Sequence, residues 1–275
     1  MELVKPEPLV LGGKAYYTLS SYDAPDIEVF VPRVTEDEVT YAYAALIMDA
    51  GGEPSDTVND IWVQKTFNMP GADALHDAVR AELEAEVNMM VEQQKAEACA
   101  DALASRLRER VLPQRISQIR TQLMGTFARD LDAQGVSQDE FLAANHMTVM
   151  DFQRIMDEQA KTTATHEAAI LAWAEERGVN VTDDEIPALI GIPEDADVKG
   201  ILADIRASGQ LEDVRQAAVQ NKAMRMLVSE CSCNYVHETA NQAAARVAKM
   251  QADMRAAAEA DSRNGEDDGP SFKLV

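Results

Sequence analysis

Cys231-Ser232-Cys233 with His237 is the one cluster in this sequence that resembles a metal or redox site. A structural zinc site needs four ligands at loop-compatible spacings. Here the two thiols are one residue apart and no fourth ligand follows, so a partly buried thiol pair is the expected role. Redox chemistry by Cys231 and Cys233 is a rival reading that thiol titration tests. His76, His146 and His166 fall on polar stretches with no nucleophile paired to them. The phosphate-cradling G-x-x-x-x-G-K-[ST], the dinucleotide G-x-G-x-x-G, the zinc-protease H-E-x-x-H and the nucleophile elbow G-x-S-x-G are all missing. Carboxylates are too abundant for any acid pair to stand out. The expectation is a protein that is not an enzyme and carries no cofactor and no metal.

Methionine is the residue type that stands out. There are 13, against 6 Phe and 2 Trp. Met89, Met90, Met124, Met147, Met150, Met156, Met224 and Met226 fall in or beside helical stretches. An unbranched thioether repacks against varied apolar partners. Any one of these is more commonly core filling; as a set they favour an adaptable binding surface.

Composition narrows the class. Hydrophobic residues are 46% and charged residues 27% of 275, which suits a folded soluble chain of one large or two small domains. Aromatics are only 5%, while Ala, Glu, Gln, Arg and Met abound, a balance that favours helix over sheet. The formal net charge of -23 argues against binding nucleic acid or anionic lipid through a general basic surface. It also keeps a surface well solvated. Three cysteines make no disulfide framework, Met1 to Tyr17 lacks the signature of a signal peptide, and no stretch reaches membrane-spanning length. A reducing cytoplasm is the expected address, with no membrane partner.

The elements follow from local signals. Leu9-Val10-Leu11 and Tyr16 to Leu19 flank Gly12-Gly13, the composition of a tight hairpin turn. Asp26 to Val31 alternates as a strand and stops at Pro32. Thr35-Glu36-Asp37-Glu38 is a capping box, opening a helix that ends at Gly51-Gly52. A short helical piece then carries Trp62 and Phe67. From Ala72 to Leu112 there is neither Pro nor Gly, which predicts one long helix stopped by Pro113. Its apolar residues Leu75, Val79, Leu83, Val87, Val91, Cys99, Leu103, Leu107 and Val111 recur every fourth position on either side of Lys95. On a helix of 3.6 residues per turn that stripe drifts by about 40° per step, so different partners must cover it along its length. An extended, multi-helix shape with long arms is the expected consequence.

Gln114 to Ala133 is an amphipathic helix ended by Gly135. Ser137 to Glu140 is a second capping box. Thr148 caps a helix running to Gly178, and Thr182 to Glu185 is a third box followed by an ill-placed Pro187. Helices are expected over Asp195 to Ser208 and Gln210 to Ser232. His237 to Ala260 reads as a polar helix, and Asp261 to Pro270 as disordered. The expected divisions are 1–34 (hairpin and extended arm), 35–70 (linker helices), 71–236 (main helical domain) and 237–275 (polar helix and acidic tail).

The order of these signals resembles the C-terminal domain of the bacterial chaperone trigger factor. The matching run is a long acidic helix, Leu112-Pro113, an Arg/Gln-faced helix, Gly135-Val136-Ser137-Gln138-Asp139-Glu140-Phe141-Leu142, and Thr148 to Phe152. It continues through Trp173-Ala174-Glu175-Glu176-Arg177-Gly178-Val179-Asn180-Val181-Thr182-Asp183-Asp184-Glu185-Ile186, Ser208 to Arg215 and Lys222 to Leu227. Coverage is from about Ser55 to Tyr235, roughly two thirds of the chain. Val34-Thr35-Glu36-Asp37-Glu38-Val39 is similar to the family's linker arm. In the family an isomerase domain follows that arm, and here only Asp49 to Pro54 fills the gap. The ribosome-docking loop G-F-R-x-G-K-x-P has no counterpart.

The resemblance implies a mostly α fold with a small N-terminal β-hairpin. It further implies a cytoplasmic bacterial holdase without isomerase activity, cradling unfolded or nascent polypeptides. Ribosome docking through the usual loop is not expected; a homodimer is compatible with the sequence. Met89, Met90, Met124, Phe127, Met150, Met156, Met224 and Met226 are the candidate client-binding residues. Each well-buried anchor of this kind is worth about 1.5–3 kcal/mol, so a few of them, less the ordering cost, give micromolar affinity to order of magnitude. The alternative is a dedicated assembly or scaffold protein using the same fold for one partner.

Overall fold

The computed structural model describes residues 5–193, 195–250 and 252. The fold is mostly α. In chain order the elements are β1 (Leu9–Leu11), β2 (Lys14–Tyr16), β3 (Asp26–Pro32), α1 (Glu36–Asp49), a 3-10 turn (Pro54–Val58), α2 (Asp60–Phe67), α3 (Ala72–Ser105) and α4 (Pro113–Gln134). They continue with α5 (Gln138–Ala144), α6 (Val149–Glu176), α7 (Ile186–Leu189), α8 (Val198–Ala207), α9 (Leu211–Glu230) and β4 (Ser232–Glu238). Residues 240–250 are again helical. The chain divides into two compact units, one made of 1–27 and 95–233, the other of 28–94 and 234–275.

Local chemistry sets most boundaries. Gly12 and Gly13 take φ of 58° and 83°, as a two-residue hairpin turn requires, and pair Leu9 with Tyr16 and Leu11 with Lys14. Thr35, Ser137 and Thr148 each accept from the third helical N–H while Glu38, Glu140 and Asp151 reach back to the cap amide. Those bonds hold all three carboxyls below their usual range. Pro113 opens α4 and Gly135 closes it in the left-handed conformation.

Two expectations are corrected. The helix begun at Ala72 ends at Ser105, not at Leu112. Residues 106–110 instead bond to the N-terminal segment: Ser20 N–H donates to Arg106 O, Arg108 N–H to Thr18 O and Arg110 N–H to Pro6 O. A distant piece of chain thus satisfies backbone groups that the helix would otherwise have satisfied. The helix expected to run to Ser232 stops at Glu230, and the strand β4 follows it. β4 pairs with β3. Ser232 N–H donates to Pro25 O and Arg33 N–H to Glu238 O, so both strands advance together and the pair is parallel. α8 starts at Val198, with Asp197 as its cap. The expected acidic tail, and the polar helix beyond 252, lie outside the described residues.

The unit that holds 28–94 is built on α1. Val39, Tyr43 and Ile47, one turn apart, meet Val63, Leu75 and Val79 in a buried cluster. Trp62 and Phe67 close it edge to face at 5.7 Å. Gly52 is needed here, because a Cβ at that position would lie 2.7 Å from the Trp62 ring and 2.8 Å from Ile47. Asp60 accepts from Ala72 N–H at 2.7 Å and so caps α3. In the same unit, Arg246 clasps the buried Glu238 with two bonds and stacks 3.9 Å over Phe30, fixing the 240–250 helix to the strand pair.

The other unit is built on α6, which packs against α4 and against α9. Ala160, Ala164, Ala168 and Ala172, spaced by four, are all buried, as are Ile170 and Trp173. The Trp173 indole donates to Tyr22 O at 3.0 Å and carries the Arg177 guanidinium on its face. Leu19 and Leu107 bridge nearby. The drifting stripe on α3 is divided as its geometry demands. Leu75 and Val79 belong to the α1 cluster, whereas Cys99 and Leu103 are buried in the α6 unit.

Candidate functional site

A cleft of about 980 Å³ opens within the α6 unit. Its floor is α6, through Ala164, Ala168, Leu171 and Ala172. Ala164, Ala168 and Ala172 are themselves buried, so Leu171 offers most of the open surface of that floor. One wall is Leu112 and the first turns of α4; another is α9, through Arg215 and Val219; the β1–β2 turn and Val179 complete the rim. Leu112, Leu171, Val179 and Val219 are half-buried and offer apolar surface to an occupant.

The charges of the cleft are nearly balanced, with one acid in excess. Its lining holds Lys14, Arg115 and Arg215 against Glu167, Glu175, Glu212 and Asp213. Arg115 donates twice to Glu167 Oε2, at 2.7 and 3.1 Å. Lys14 meets Glu175 at 3.5 Å and Arg215 meets Glu212 at 3.3 Å. Three of the four acids are thus held in ion pairs, and a paired charge is less costly to cover than a single one. In a chain of net charge -23 this is a local exception.

The α9 wall is held in place from behind. Asp183 accepts from Arg206 of α8 and Arg215 of α9, each at 2.7 Å, and those two guanidiniums hold its carboxyl below the usual range. Lys222 bonds Glu185 Oε1 at 2.7 Å and Asn180 O at 2.8 Å. Lys222 first, and then Thr182, bring the Glu185 carboxyl down to about 2. The expected third capping box forms only in part: Glu185 Oε2 accepts from the Thr182 N–H and hydroxyl, but the Glu185 N–H donates to Thr182 O, and α7 after it is a single turn with Glu185 at its cap.

None of the eight sequence-selected residues lines this cleft. Met89 (69% exposed) and Met90 lie on α3 and face solvent. Met150, 77% exposed, stands beside exposed Val149 at the start of α6. Met124, Met156, Met224 and Met226 are half-buried. Phe127 joins α4 to its neighbours, 5.0 Å from Phe141 and 4.8 Å from Phe152. Methionine abundance located exposed apolar spots only at Met89, Met90 and Met150. The buried alanines of α6, spaced by four, floor the cleft, and nothing in the sequence reading singled them out.

Residues 71–229 match the sequence family described as bacterial trigger factor protein (TF) C-terminus. The chain belongs to that family. The match begins at the start of α3 and runs almost to the end of α9, so it includes most of the cleft's lining. Among solved structures, a hypothetical Mycoplasma protein is similar at 13% identity and a TM-score of 0.41, covering 80% of this chain and 90% of that one. No curated protein matches. Among the described residues of this trigger factor family member, no helix is long and apolar enough to cross a membrane. Nor does any group of three or more His, Cys, Asp or Glu side chains there suit a metal ion.

Proposed function

We propose that this chain binds unfolded or partly folded polypeptide segments and shields them from aggregation, as a cytoplasmic holdase without peptidyl-prolyl isomerase activity. The observation that carries the reading is the ion-paired, alanine-floored cleft in a chain of the trigger factor C-terminal family. Its apolar residues Leu112, Leu171, Val179 and Val219 take side chains of an extended segment. The ion pairs around them keep the rim hydrated and the surface soluble. Exposed Met89, Met90 and Met150 add adaptable contacts. The absence of isomerase activity is supported by the short connection between α1 and α2, residues 50–59, where the family's catalytic domain would be expected.

The test is light scattering from several unrelated denatured proteins diluted into the folded chain. Suppression of scattering by the wild type, weakened by Val219→Trp, is expected, because the indole fills the cleft from a half-buried position. A folded wild type that suppresses none of them overturns the proposal. Suppression confined to a single protein favours the dedicated assembly partner instead. In a proline-limited refolding assay, no acceleration at catalytic concentrations is expected.

A further inference from the structure

The β1–β2 hairpin lies outside residues 71–229, and its register fixes where its backbone points. Leu11 and Lys14 flank the Gly12-Gly13 turn, and the pair that flanks a two-residue turn bonds across it. Bonded and non-bonded pairs then alternate along an antiparallel ladder. Val10 and Ala15, the next pair, therefore turn their N–H and C=O groups outward, to opposite edges of the hairpin. Among the described residues no other backbone group bonds to either of them. The two edges differ in what lies beside them. Gly13, Lys14 and Ala15 line the cleft, whereas no residue of β1 does. β2 is thus the strand whose free edge adjoins the cleft, and Ala15 is half-buried there. On the other edge Leu9, Val10 and Leu11 are all exposed.

We propose that a client segment binds in this cleft as an added β-strand, hydrogen-bonded through its main chain to Ala15 on the free edge of β2. The inference rests on the cleft's being the client site, and it names the conformation and the bonds by which the client is held. The occupant is an extended, uncharged stretch of polypeptide. Every base lining the cleft is already paired, Lys14 with Glu175, Arg115 with Glu167 and Arg215 with Glu212, so no cation is left over for an acidic ligand. What the edge still offers is one neutral donor and one neutral acceptor, and an extended backbone supplies their complements. A helix has already used those groups on itself. Successive side chains of a strand point to opposite faces, so every second one lies on the side of the cleft, where Leu171 and Val179 offer apolar surface. Main-chain bonds are indifferent to side-chain identity, which suits a site for varied unfolded chains.

The probe is a short fluorescein-labelled peptide of alternating Val and Thr, titrated with the folded full chain and read by fluorescence anisotropy. Saturable binding by the wild type is expected, weakened by Val219→Trp. Ala15→Pro removes only the outward N–H, a change that an edge strand accepts. It should weaken binding about tenfold, through the lost bond and the ring placed on the edge. Val10→Pro makes the same change on the edge away from the cleft and should leave binding unchanged. The fully N-methylated peptide keeps its side chains and loses its donors, and it should also bind about tenfold more weakly; this arm needs no variant of the protein. Equal binding of the methylated and parent peptides, equal binding by Ala15→Pro and the wild type, or equal weakening by both proline variants would each overturn strand addition. If Val219→Trp still weakens binding in those cases, the cleft stands as the client site without it. A wild type that suppresses aggregation but binds no peptide overturns strand addition alone. One that does neither overturns the holdase reading as well.

Discussion

The two compact units bury different kinds of surface. Around α1, branched and aromatic side chains fill the space so completely that Gly52 has no room for a methyl group. Around α6, alanines at every fourth position let α4 and α9 approach one helix face, and a cleft is left beside them. A core filled with branched volume has nothing left to bind with. A core of alanines holds its partners by close approach and needs a few large residues to lock it. Trp173 is that lock in the α6 unit, with its indole bonded to Tyr22 and its face covered by Arg177.

This contrast is open to test, and the largest effect should come from its lock. Trp173→Ala should cost about 3–5 kcal/mol, read as a shift in urea midpoint with a fluorescence or circular dichroism probe. A loss below about 1 kcal/mol would mean the alanines alone hold the unit. Next, Gly52→Ala should destabilise the α1 unit by about 1–3 kcal/mol through overpacking against Trp62 and Ile47. In contrast, Val219→Trp, which points a larger side chain at an open cleft, should change the melting midpoint little.

Tyr43→Phe sharpens the picture of the filled core. Among the described residues the Tyr43 hydroxyl is buried without a hydrogen-bond partner. Burial first, and the nearby carboxylates Asp60 and Asp73 second, push its ionisation upward. Removing that oxygen should stabilise the chain by about 1 kcal/mol, measured by denaturant titration.

The smallest effect is a pH dependence behind the cleft. Glu185 sits near 2 in the folded chain against an ordinary 4.5. A depressed carboxyl contributes stability above its unfolded value and loses it as pH falls through the folded one. The loss therefore runs from about pH 4.5 down to about pH 2, and Asp183 shifts the same way. Glu185→Gln should lower the midpoint at neutral pH, and its difference from wild type should shrink across that window. Because Lys222 and Glu185 are partly exposed, salt should reduce the effect.

What could be read from the sequence was what neighbours in sequence decide. Thr35 with Glu38, Ser137 with Glu140 and Thr148 with Asp151 mark helix starts because each cap is satisfied within one turn. Gly12-Gly13 and Gly135 mark turns because their backbone angles exclude most other residues. The early end of α3 and the strand β4 were not legible. Their hydrogen bonds go to Thr18, Ser20 and Pro25, remote in sequence, and no local pattern records a remote partner. The cleft was hidden for a related reason. Methionines advertise apolar surface, whereas the floor residues Ala164, Ala168 and Ala172 read as ordinary helix formers.

The parallel pairing of β3 with β4 has a consequence for how the chain is made. About 200 residues separate the two strands, and a ribosome adding about 5–20 residues per second takes about 10–40 s to span that distance. Throughout that interval β3 stays an open edge, and Ile27 and Val29, buried in the finished fold, wait for their cover. A chain proposed to shelter the unfinished chains of others is itself, while those residues are being added, a chain with an unfinished edge.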